Sequence, residues 1–168
     1  YLSPQGRPLS ESKVKELSRK TEVTLICGRY GGLDQRFLNQ FVDEEISLGD
    51  YVLSGGELAA LAVMDAIVRK IPGALGHQDS ADLDSFSHGI LEHPLFTRPQ
   101  EWRNQKVPAV LLSGHHGRIE EWKLRLSQLV TLKKRPELLK LEPGEMKKLK
   151  LFFENLSQDE KKICGVGD

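Results

Sequence analysis

GDYVLSGGEL, residues 49–58, combines a strand signal, a glycine turn and a helix start, and the predicted fold depends on this combination. Tyr51–Leu53 is typical of a short buried strand, Ser54–Gly56 interrupts it, and an apolar helical run extends from Glu57 to Arg69. In open α/β sheets, ligands bind where strands pass into helices, because glycines let the backbone come close and a helix start offers N–H groups. The motif fits a tight turn without a ligand equally well.

Strands and helices alternate through the first part of the chain, which indicates a parallel α/β sheet. Val23–Cys27 is predicted as a buried strand that ends in the glycine turn Gly28–Gly32, and Tyr1–Gly6 as a strand end that enters a turn. The strand ends at Ser3-Pro4 and Ser54–Gly56 and the turn after Cys27 are therefore expected to lie along one edge of the sheet.

Helices are predicted over Ser10–Ser18, where the first residue is a typical cap, over Asp34–Phe41, and over Glu57–Lys70. The last of these is apolar on nearly all sides, as in helices buried in a core or against a partner. Since a chain of 168 residues has few layers to cover it, we expect a dimer interface there. Asp65 and Arg69, four residues apart on this helix, form either a structural ion pair or part of a site.

Residues 76–104 are polar and punctuated by proline and glycine, and no strand or long helix is predicted there. A loop of this length in a compact chain is usually functional or a linker. The sequence therefore predicts an α/β domain at 1–76, a linker at 77–104 and a helical domain at 105–168. Apolar residues at helical spacing predict the core stripes of the last domain. They are Ile119, Trp122, Leu126 and Leu129 in one helix, Leu138 and Leu139 in a helix opened by Pro136, and Met146, Leu149, Phe152, Phe153 and Leu156 in the last.

The charges are balanced overall and uneven along the chain. With 24 basic and 24 acidic residues the net charge is zero, which argues against a strongly basic nucleic-acid binder. Residues 34–65 are predominantly acidic and residues 118–150 predominantly basic. The basic segment is suited to binding phosphates, although a solvated helical surface has the same composition.

The cysteines and histidines predict neither a disulfide framework nor a metal site. Cys27 and Cys164 lie far apart in the sequence, and the five histidines lack metal-ligand spacing. A reducing, cytoplasmic setting follows from this cysteine usage. No apolar run is long enough to cross a bilayer and no signal peptide is present, so no membrane association is expected.

Several specific motifs are distributed over nearly the whole chain. They are Tyr1–Gly6, Cys27–Tyr30, Asp43–Glu45, Gly49–Leu58, Ile71–Gly73, Asp84–Phe86, Phe96–Pro99, Val110–His116 and Arg135–Leu139. In their residues and their order, these motifs make the chain resemble the bacterial tRNA (guanine-N1)-methyltransferases of the knotted SPOUT class. Members of that family carry a further N-terminal stretch with the first strands of the sheet, so the resemblance implies that the chain is a fragment.

The resemblance implies a SPOUT-type parallel α/β sheet with a deep trefoil knot, which is an exception to the rule that chains do not thread loops. It also implies a small C-terminal all-helical domain and a homodimer. In this family the strand-end loops form the knot and hold S-adenosylmethionine in a bent shape. By the family match, the cofactor-binding residues are Tyr1, Leu2, Ser3, Pro4, Gly28, Tyr30, Gly32, Leu48, Gly49, Asp50, Tyr51, Val52, Leu53, Gly55 and Gly56.

The implied reaction is methylation of N1 of the guanine immediately 3′ of the tRNA anticodon, with another guanine before it. N1 of guanine carries a proton, so a base must remove it as the methyl group transfers. A cation near O6 stabilises the negative charge that develops there. By the family match, Asp84 is the general base, Arg69 is the catalytic arginine, and Ser85 and Glu92 contact the substrate. No metal is implied.

Two other functions stay open. Gly31 occupies a position where the family usually has a glutamate beside the sulfonium end of the cofactor. The alternative is therefore a non-catalytic RNA-binding relative or an inactive fragment that retains cofactor binding. A further alternative is a nucleotide-binding α/β domain joined to a helical interaction domain, although the glycine spacing at 54–56 matches neither a phosphate loop nor a dinucleotide fingerprint.

Overall fold

The computed structural model of the protein describes residues 1–74 and 84–167. The chain forms two compact units, Tyr1–Ala81 and Asp82–Asp168. Each unit is described by itself. The boundary predicted between residues 76 and 77 lies outside the described residues, and the division into 1–76, 77–104 and 105–168 stays a prediction.

A short parallel strand pair forms the sheet of the first unit. Strand β1 (Leu2–Pro8) pairs with β2 (Ile46–Ser47), and the register is irregular between Leu2 and Arg7. Leu2 also forms an isolated parallel bridge with Cys27. The predicted mixed α/β class with a parallel sheet is therefore confirmed.

The helices of the first unit begin at or next to the residues where the sequence predicts them, and Ser10 is the predicted cap. Helix α1 (Glu11–Leu17) follows Ser10, whose hydroxyl accepts from the backbone N–H of Lys13 at 3.3 Å. Helix α2 (Gln35–Phe41) follows Asp34, whose carboxylate accepts from the backbone N–H of Arg36 at 2.8 Å. Helix α3 spans Glu57–Val68. The core between these elements consists of Leu2, Leu17, Ile46, Ala59 and Val63.

Two predicted strands of the first unit are wrong. Tyr51–Leu53 has no strand structure and is exposed, with Val52 at 84%. Its apolar side chains face a cavity and solvent, because the segment turns between Gly49 and Gly55 with no strand paired along it. Val23–Ile26 has no strand structure, Cys27 is paired through a single bridge, and Val23 is exposed.

Helix α3 is covered on only one side within its own unit, and the expectation that a partner covers the other side stays a prediction. Its buried residues are Ala59, Ala60 and Val63. The opposite side of the helix is exposed and apolar, because one sheet and one neighbouring helix cover a single face. The large apolar residues exposed there are Leu58 at 65%, Leu61 at 57%, Met64 and Val68, and Asp65 is exposed among them.

The second unit begins with a loop and a small hairpin. Strands β3 (Glu101–Trp102) and β4 (Gln105–Lys106) pair antiparallel through a turn in which Arg103 and Asn104 have positive φ. The sequence predicts no strand in residues 76–104, and β3 shows that this prediction is wrong. It also predicts an all-helical part from residue 105, and β4 shows that this prediction is wrong at its start. Two-residue strands carry too little periodicity to be recognised from sequence.

The rest of the second unit is largely helical, as predicted, but the helix predicted to open at Pro136 is wrong, because the chain makes only a 3₁₀ turn there and is extended again at Leu139. Helices α4 (His116–Lys134), α5 (Pro143–Asn155) and α6 (Gln158–Ile163) are joined by short turns, one of them a 3₁₀ turn at Pro136–Leu138. The core contains most of the predicted stripe residues, namely Trp122, Leu126, Leu129, Leu149 and Leu156, with Phe152 and Phe153 partly buried against them. Met146 is exposed instead. In the described parts of the chain, every helix is too short or too polar to span a bilayer.

Candidate functional site

A cavity of about 350 Å³ opens in the first unit at the start of β1. Its walls come from residues 1–5, from the glycine turn at 28–33 and from the segment 45–56. Pockets for small organic ligands usually have volumes of ~300–1,000 Å³, so the cavity is large enough for a ligand of modest size. The three strand-end segments predicted to share one edge of the sheet therefore do line one space.

Backbone hydrogen bonds join these segments. The N–H of Gly56 donates to the carbonyl of Gly28 at 3.0 Å, beside an isolated antiparallel bridge between Arg29 and Gly55. The N–H of Leu2 donates to the carbonyl of Ile26 at 3.2 Å. The cavity wall is thus built from backbone that is bonded across long sequence separations.

Glycine is required at several positions of this wall. A Cβ at Gly28 would lie 2.7 Å from the Tyr1 hydroxyl, and a Cβ at Gly56 would lie 2.9 Å from Cα of Cys27. Gly49 has a φ of +148°, which side chains rarely adopt, and a Cβ there would lie 2.9 Å from the Tyr51 ring. Glycine at these positions therefore lets the segments of the wall pack closely against one another.

One ion pair links the two glycine turns at the surface. Nε of Arg29 donates to Oε1 of Glu57 at 2.8 Å. The Arg29 guanidinium beside Glu57 holds the pKa of that carboxyl below its usual range, and the carboxylate raises the pKa of Arg29. The pair is half-exposed, so it stabilises the turns only weakly, but it keeps a fixed charge of each sign beside the turn.

All the predicted cofactor-binding residues except Asp50 line this cavity, while Asp50 is exposed outside it. Their role in binding a cofactor stays a prediction. The cavity also has lining residues that the sequence analysis did not assign. They are Gln5, Arg29, Gly31, Leu33, Gln35, Leu38, Glu45, Ile46, Ser47, Ser54 and Ala59. Most of them are sequence neighbours of the glycine turns, which is the signal that would have identified them.

The second unit brings three of the predicted site residues into one loop. Asp84, Ser85 and Glu92 are half-buried, and the Ser85 hydroxyl accepts from the backbone N–H of Glu92 at 3.0 Å. The carbonyl of Asp84 accepts from the N–H of Ser87 at 3.2 Å. The loop therefore closes on itself, and its two ends are adjacent.

The predicted catalytic arginine lies at the end of α3. Arg69 is exposed, and its backbone N–H donates to the carbonyl of Asp65 at 3.1 Å as the helix cap. Arg69 belongs to the first unit and Asp84 to the second. Their joint role stays a prediction.

The predicted basic segment presents most of its charges to solvent. Its exposed cations are Arg118, Lys133, Lys134, Arg135, Lys140, Lys147, Lys148 and Lys150. Lys123 and Arg125 are half-buried instead, and they bond Glu120 at 2.9 Å and Glu145 at 2.7 Å, respectively. Residues 1–74 and 84–167 contain no group of three or more His, Cys, Asp or Glu side chains placed to hold a metal ion.

Residues 1–141 match the family described as tRNA (Guanine-1)-methyltransferase TrmD. A protein of Desulforamulus reducens is 52% identical over 157 residues, which is 92% of this chain and 62% of that protein. A protein of Pseudomonas savastanoi pv. phaseolicola is 53% identical over 151 residues, or 89% of this chain and 60% of its own length. A protein of Ralstonia nicotianae is 54% identical over 138 residues, or 82% of this chain and 53% of its own length.

Each of these relatives is named tRNA (guanine-N(1)-)-methyltransferase. The chain spans between 53% and 62% of their length. The family match covers most of the chain, includes the cavity-lining turns and extends through the loop that carries Asp84. The chain therefore belongs to the TrmD family of tRNA (guanine-1)-methyltransferases.

Proposed function

We propose that the chain is the catalytic part of an S-adenosylmethionine-dependent enzyme that methylates N1 of the guanine immediately 3′ of the tRNA anticodon. The observation that carries the proposal is the single cavity formed by the glycine-rich segments 1–5, 28–33 and 45–56. These are the segments that the family resemblance assigns to the methyl donor. A deep trefoil knot, formed by the same segments, is part of the proposal.

The residues of the cavity fit the proposed cofactor. Glycine at positions 28, 49 and 56 lets the wall segments pack closely around the cavity, whose volume of about 350 Å³ suits a ligand of this size, and Tyr1 and Tyr51 are among the residues that line it. Backbone N–H and C=O groups of residues 48–53 can read the adenine edge. When bound, S-adenosylmethionine supplies an activated methyl group, so the chain has mainly to position the acceptor and move one proton.

Asp84 takes the proton from N1 of the guanine in this proposal. A carboxylate within hydrogen-bond reach is a suitable base, and proton transfer of this kind typically contributes about 10²–10⁴-fold in rate. Ser85 and Glu92 lie in the same closed loop and contact the guanine. Arg69 faces the O6 atom, where its positive charge stabilises the charge that develops during transfer.

A homodimer completes the proposed site. The exposed apolar side of α3, formed by Leu58, Leu61, Met64 and Val68, supports this because solvent-exposed patches of this kind mark interfaces. Arg69 follows this helix directly, so a partner packed there brings a second chain next to the catalytic arginine. The guanine then lies between subunits, and Asp84 and Arg69 meet across them.

The tRNA is held by the basic helical unit in this proposal. The exposed cations of residues 118–150 neutralise backbone phosphates, so binding should weaken steeply with salt. The target guanine must leave its stack, at a cost of about a few kcal/mol.

We place the enzyme in the cytoplasm, where its tRNA is found, and assign it no membrane partner. We also propose that the substrate tRNA carries another guanine immediately before the target guanine.

A second candidate function is a non-catalytic relative that binds the cofactor and RNA. Gly31 favours it, because the family usually has a glutamate at this position. The chain also spans only 53–62% of its relatives, so elements needed for turnover can lie in the remainder. Cofactor binding without methyl transfer would distinguish this candidate from the enzyme.

Thermal unfolding with and without S-adenosylmethionine tests the cofactor, with ATP and NAD as controls. A ligand at a hundredfold its dissociation constant adds about 2.7 kcal/mol to the free energy of unfolding. A shift with S-adenosylmethionine alone supports the proposal, whereas a shift with ATP or NAD alone supports a nucleotide-binding domain.

Transfer of a labelled methyl group to a tRNA transcript tests the reaction. The matched control transcript carries adenine in place of the guanine 3′ of the anticodon. Labelling of the guanine transcript alone supports the proposal. A thermal shift without labelling favours the second candidate.

A further inference from the structure

Thr131 is a fully buried polar residue in the middle of the helical core. It lies on α4, its exposed fraction is 0%, and its neighbours include the apolar residues Leu126, Leu129 and Val130. Its hydroxyl donates to the carbonyl of Ser127 at 2.7 Å and accepts from the backbone N–H of Leu91 at 2.9 Å. A hydroxyl has one donor and two acceptor positions, so these two bonds use its only donor and link it to a distant segment.

The second of these bonds reaches the loop that carries the proposed base. The next residue after Leu91 is Glu92, whose backbone N–H donates to the Ser85 hydroxyl at 3.0 Å. Ser85 comes directly after Asp84 in the sequence. The Leu91 side chain also packs against the helical core. A short path of hydrogen bonds therefore runs from a rigid helix to the residue beside Asp84.

The loop has a backbone conformation that its surroundings must maintain. Phe86 has a φ of 74°, which is uncommon for a residue with a bulky side chain. Its N–H donates to the carbonyl of Ile90 at 2.7 Å, and this bond closes the loop one residue before Leu91. Strained backbone of this kind persists only where neighbouring contacts hold it.

We propose that Thr131 is a positioning residue for methyl transfer, acting through the Leu91 amide to hold the Asp84–Glu92 loop on the helical core. The expected effect on methyl transfer rests on the proposed function. The anchoring of the loop by Thr131 rests only on the hydrogen bonds of the structure. The base has to meet the guanine proton within a fraction of an ångström, and a displacement of 1 Å costs about 10²-fold in rate. A purely structural buried threonine would stabilise the unit without affecting the placement of Asp84.

The variants Thr131→Val and Thr131→Ser separate these roles. Valine keeps the shape and removes the acceptor, so the buried Leu91 amide loses its partner. Serine keeps the hydroxyl and loses only a methyl group. We expect Thr131→Val to lower kcat by about tenfold or more, with the KM for tRNA and the affinity for S-adenosylmethionine within about twofold, and we expect Thr131→Ser to restore most of kcat.

Val130→Ala is the matched control, because Val130 is buried in the same helix and has no bond to the loop. It should lower the melting temperature without lowering kcat at a temperature where the protein stays folded. The proposal is overturned if Thr131→Val retains wild-type kcat, or if Val130→Ala loses as much kcat as Thr131→Val.

Amide hydrogen exchange at Leu91 tests the anchoring without any activity. Exchange should be at least about tenfold faster in Thr131→Val than in the wild type or in Thr131→Ser, since the amide is protected by this one bond. Unchanged exchange would overturn the proposal even if the enzyme is active. If the wild-type chain transfers no methyl group, the proposed function fails, and the exchange result still decides whether Thr131 holds the loop.

Discussion

The backbone N–H of Gly56 donates to the carbonyl oxygen of Gly28 at 3.0 Å, so the turn before α3 and the turn after Cys27 form one hydrogen-bonded unit. Both turns line the cavity, and both must be glycine at the points of contact. A change in one turn is therefore transmitted to the other, and the cavity should respond to substitutions as a single structure.

Replacing Gly28 with alanine should weaken the binding of S-adenosylmethionine by about tenfold or more, or at least about 1.4 kcal/mol. The new Cβ would lie 2.7 Å from the Tyr1 hydroxyl, so the ring of Tyr1 must move within the cavity wall. Isothermal titration calorimetry measures the effect. Gly31→Ala is the control, because a Cβ there has no heavy atom within 4 Å. Equal losses in the two variants would contradict the assignment of this wall to the cofactor.

Introducing glutamate at Gly31 should raise methyl transfer several-fold if the missing carboxylate is a true defect. The position is exposed and open, so the larger side chain can be accommodated without moving the turn. A carboxylate beside the sulfonium should favour the bound cofactor through its charge. Gly31→Gln has nearly the same shape without the charge and should leave the rate unchanged. If the wild type, Gly31→Glu and Gly31→Gln transfer methyl groups at the same rate, another group of the site compensates for the missing carboxylate.

Asp84→Asn should reduce methyl transfer by about 10²–10⁴-fold while the affinity for S-adenosylmethionine stays nearly constant. Asparagine has the same shape but cannot accept the guanine proton as a carboxylate does. Single-turnover kinetics on the tRNA transcript give the rate, and calorimetry gives the affinity. The exposed His88 of the same loop provides a control, and His88→Ala should retain activity. A joint loss of rate and cofactor affinity would count against Asp84 as the base.

Leu61→Glu should convert the proposed dimer into a monomer. Leu61 is exposed on the apolar side of α3, and a carboxylate there would be buried without a partner in any interface that covers this side. Sedimentation equilibrium measures the mass, and methyl transfer should fall together with the dimer fraction. Leu124→Glu places the same charge at an exposed leucine of α4 and should leave the mass unchanged. A wild-type mass for Leu61→Glu would place the interface elsewhere.

Acid should destabilise the helical unit through Glu145. Lys148 and Arg125 both bond this carboxylate, and they lower its pKa to about 2. Because the folded-state pKa is depressed below an ordinary value of about 4.5, the stabilisation is complete above that ordinary pKa and is lost as the pH falls towards 2. Melting temperatures between pH 7 and pH 2.5 should fall less steeply for Glu145→Gln than for the wild type. Glu154→Gln, an exposed change on the same helix, should leave the slope unaltered.

Local signals in the sequence predict several elements correctly. Ser10 is a side-chain cap as predicted, and the helix predicted from Asp34 begins one residue later, with Asp34 as its cap. The core stripe of α4 was predictable because helical spacing alone determines which of its residues share a face. Clustered glycines likewise identify the turns at 28–32 and 54–56 from the sequence, and both of these turns line the cavity.

Features that depend on distant partners could not be predicted in this way. An apolar run such as Tyr51–Leu53 has the composition of a buried strand, but only a neighbouring strand can bury it, and none pairs with it along its length. The exposure of Leu61 depends on what covers α3, which local pattern does not encode. The bond between Thr131 and Leu91 joins residues far apart in sequence and leaves no periodic signal.

The parallel pairing of Leu2 with Ile46, and its bridge to Cys27, also has a consequence for how the protein acquires activity. Closing such long loops lowers the entropy of the chain before the contacts between the loop ends can stabilise it. Folding is therefore slower when the contacts join residues far apart in sequence. The backbone hydrogen bonds within the helices of the second unit, by contrast, join residues four positions apart. Ligand binding should therefore appear late in refolding, after most of the helical signal has returned, so that a newly folded molecule passes through a helical but ligand-incompetent state.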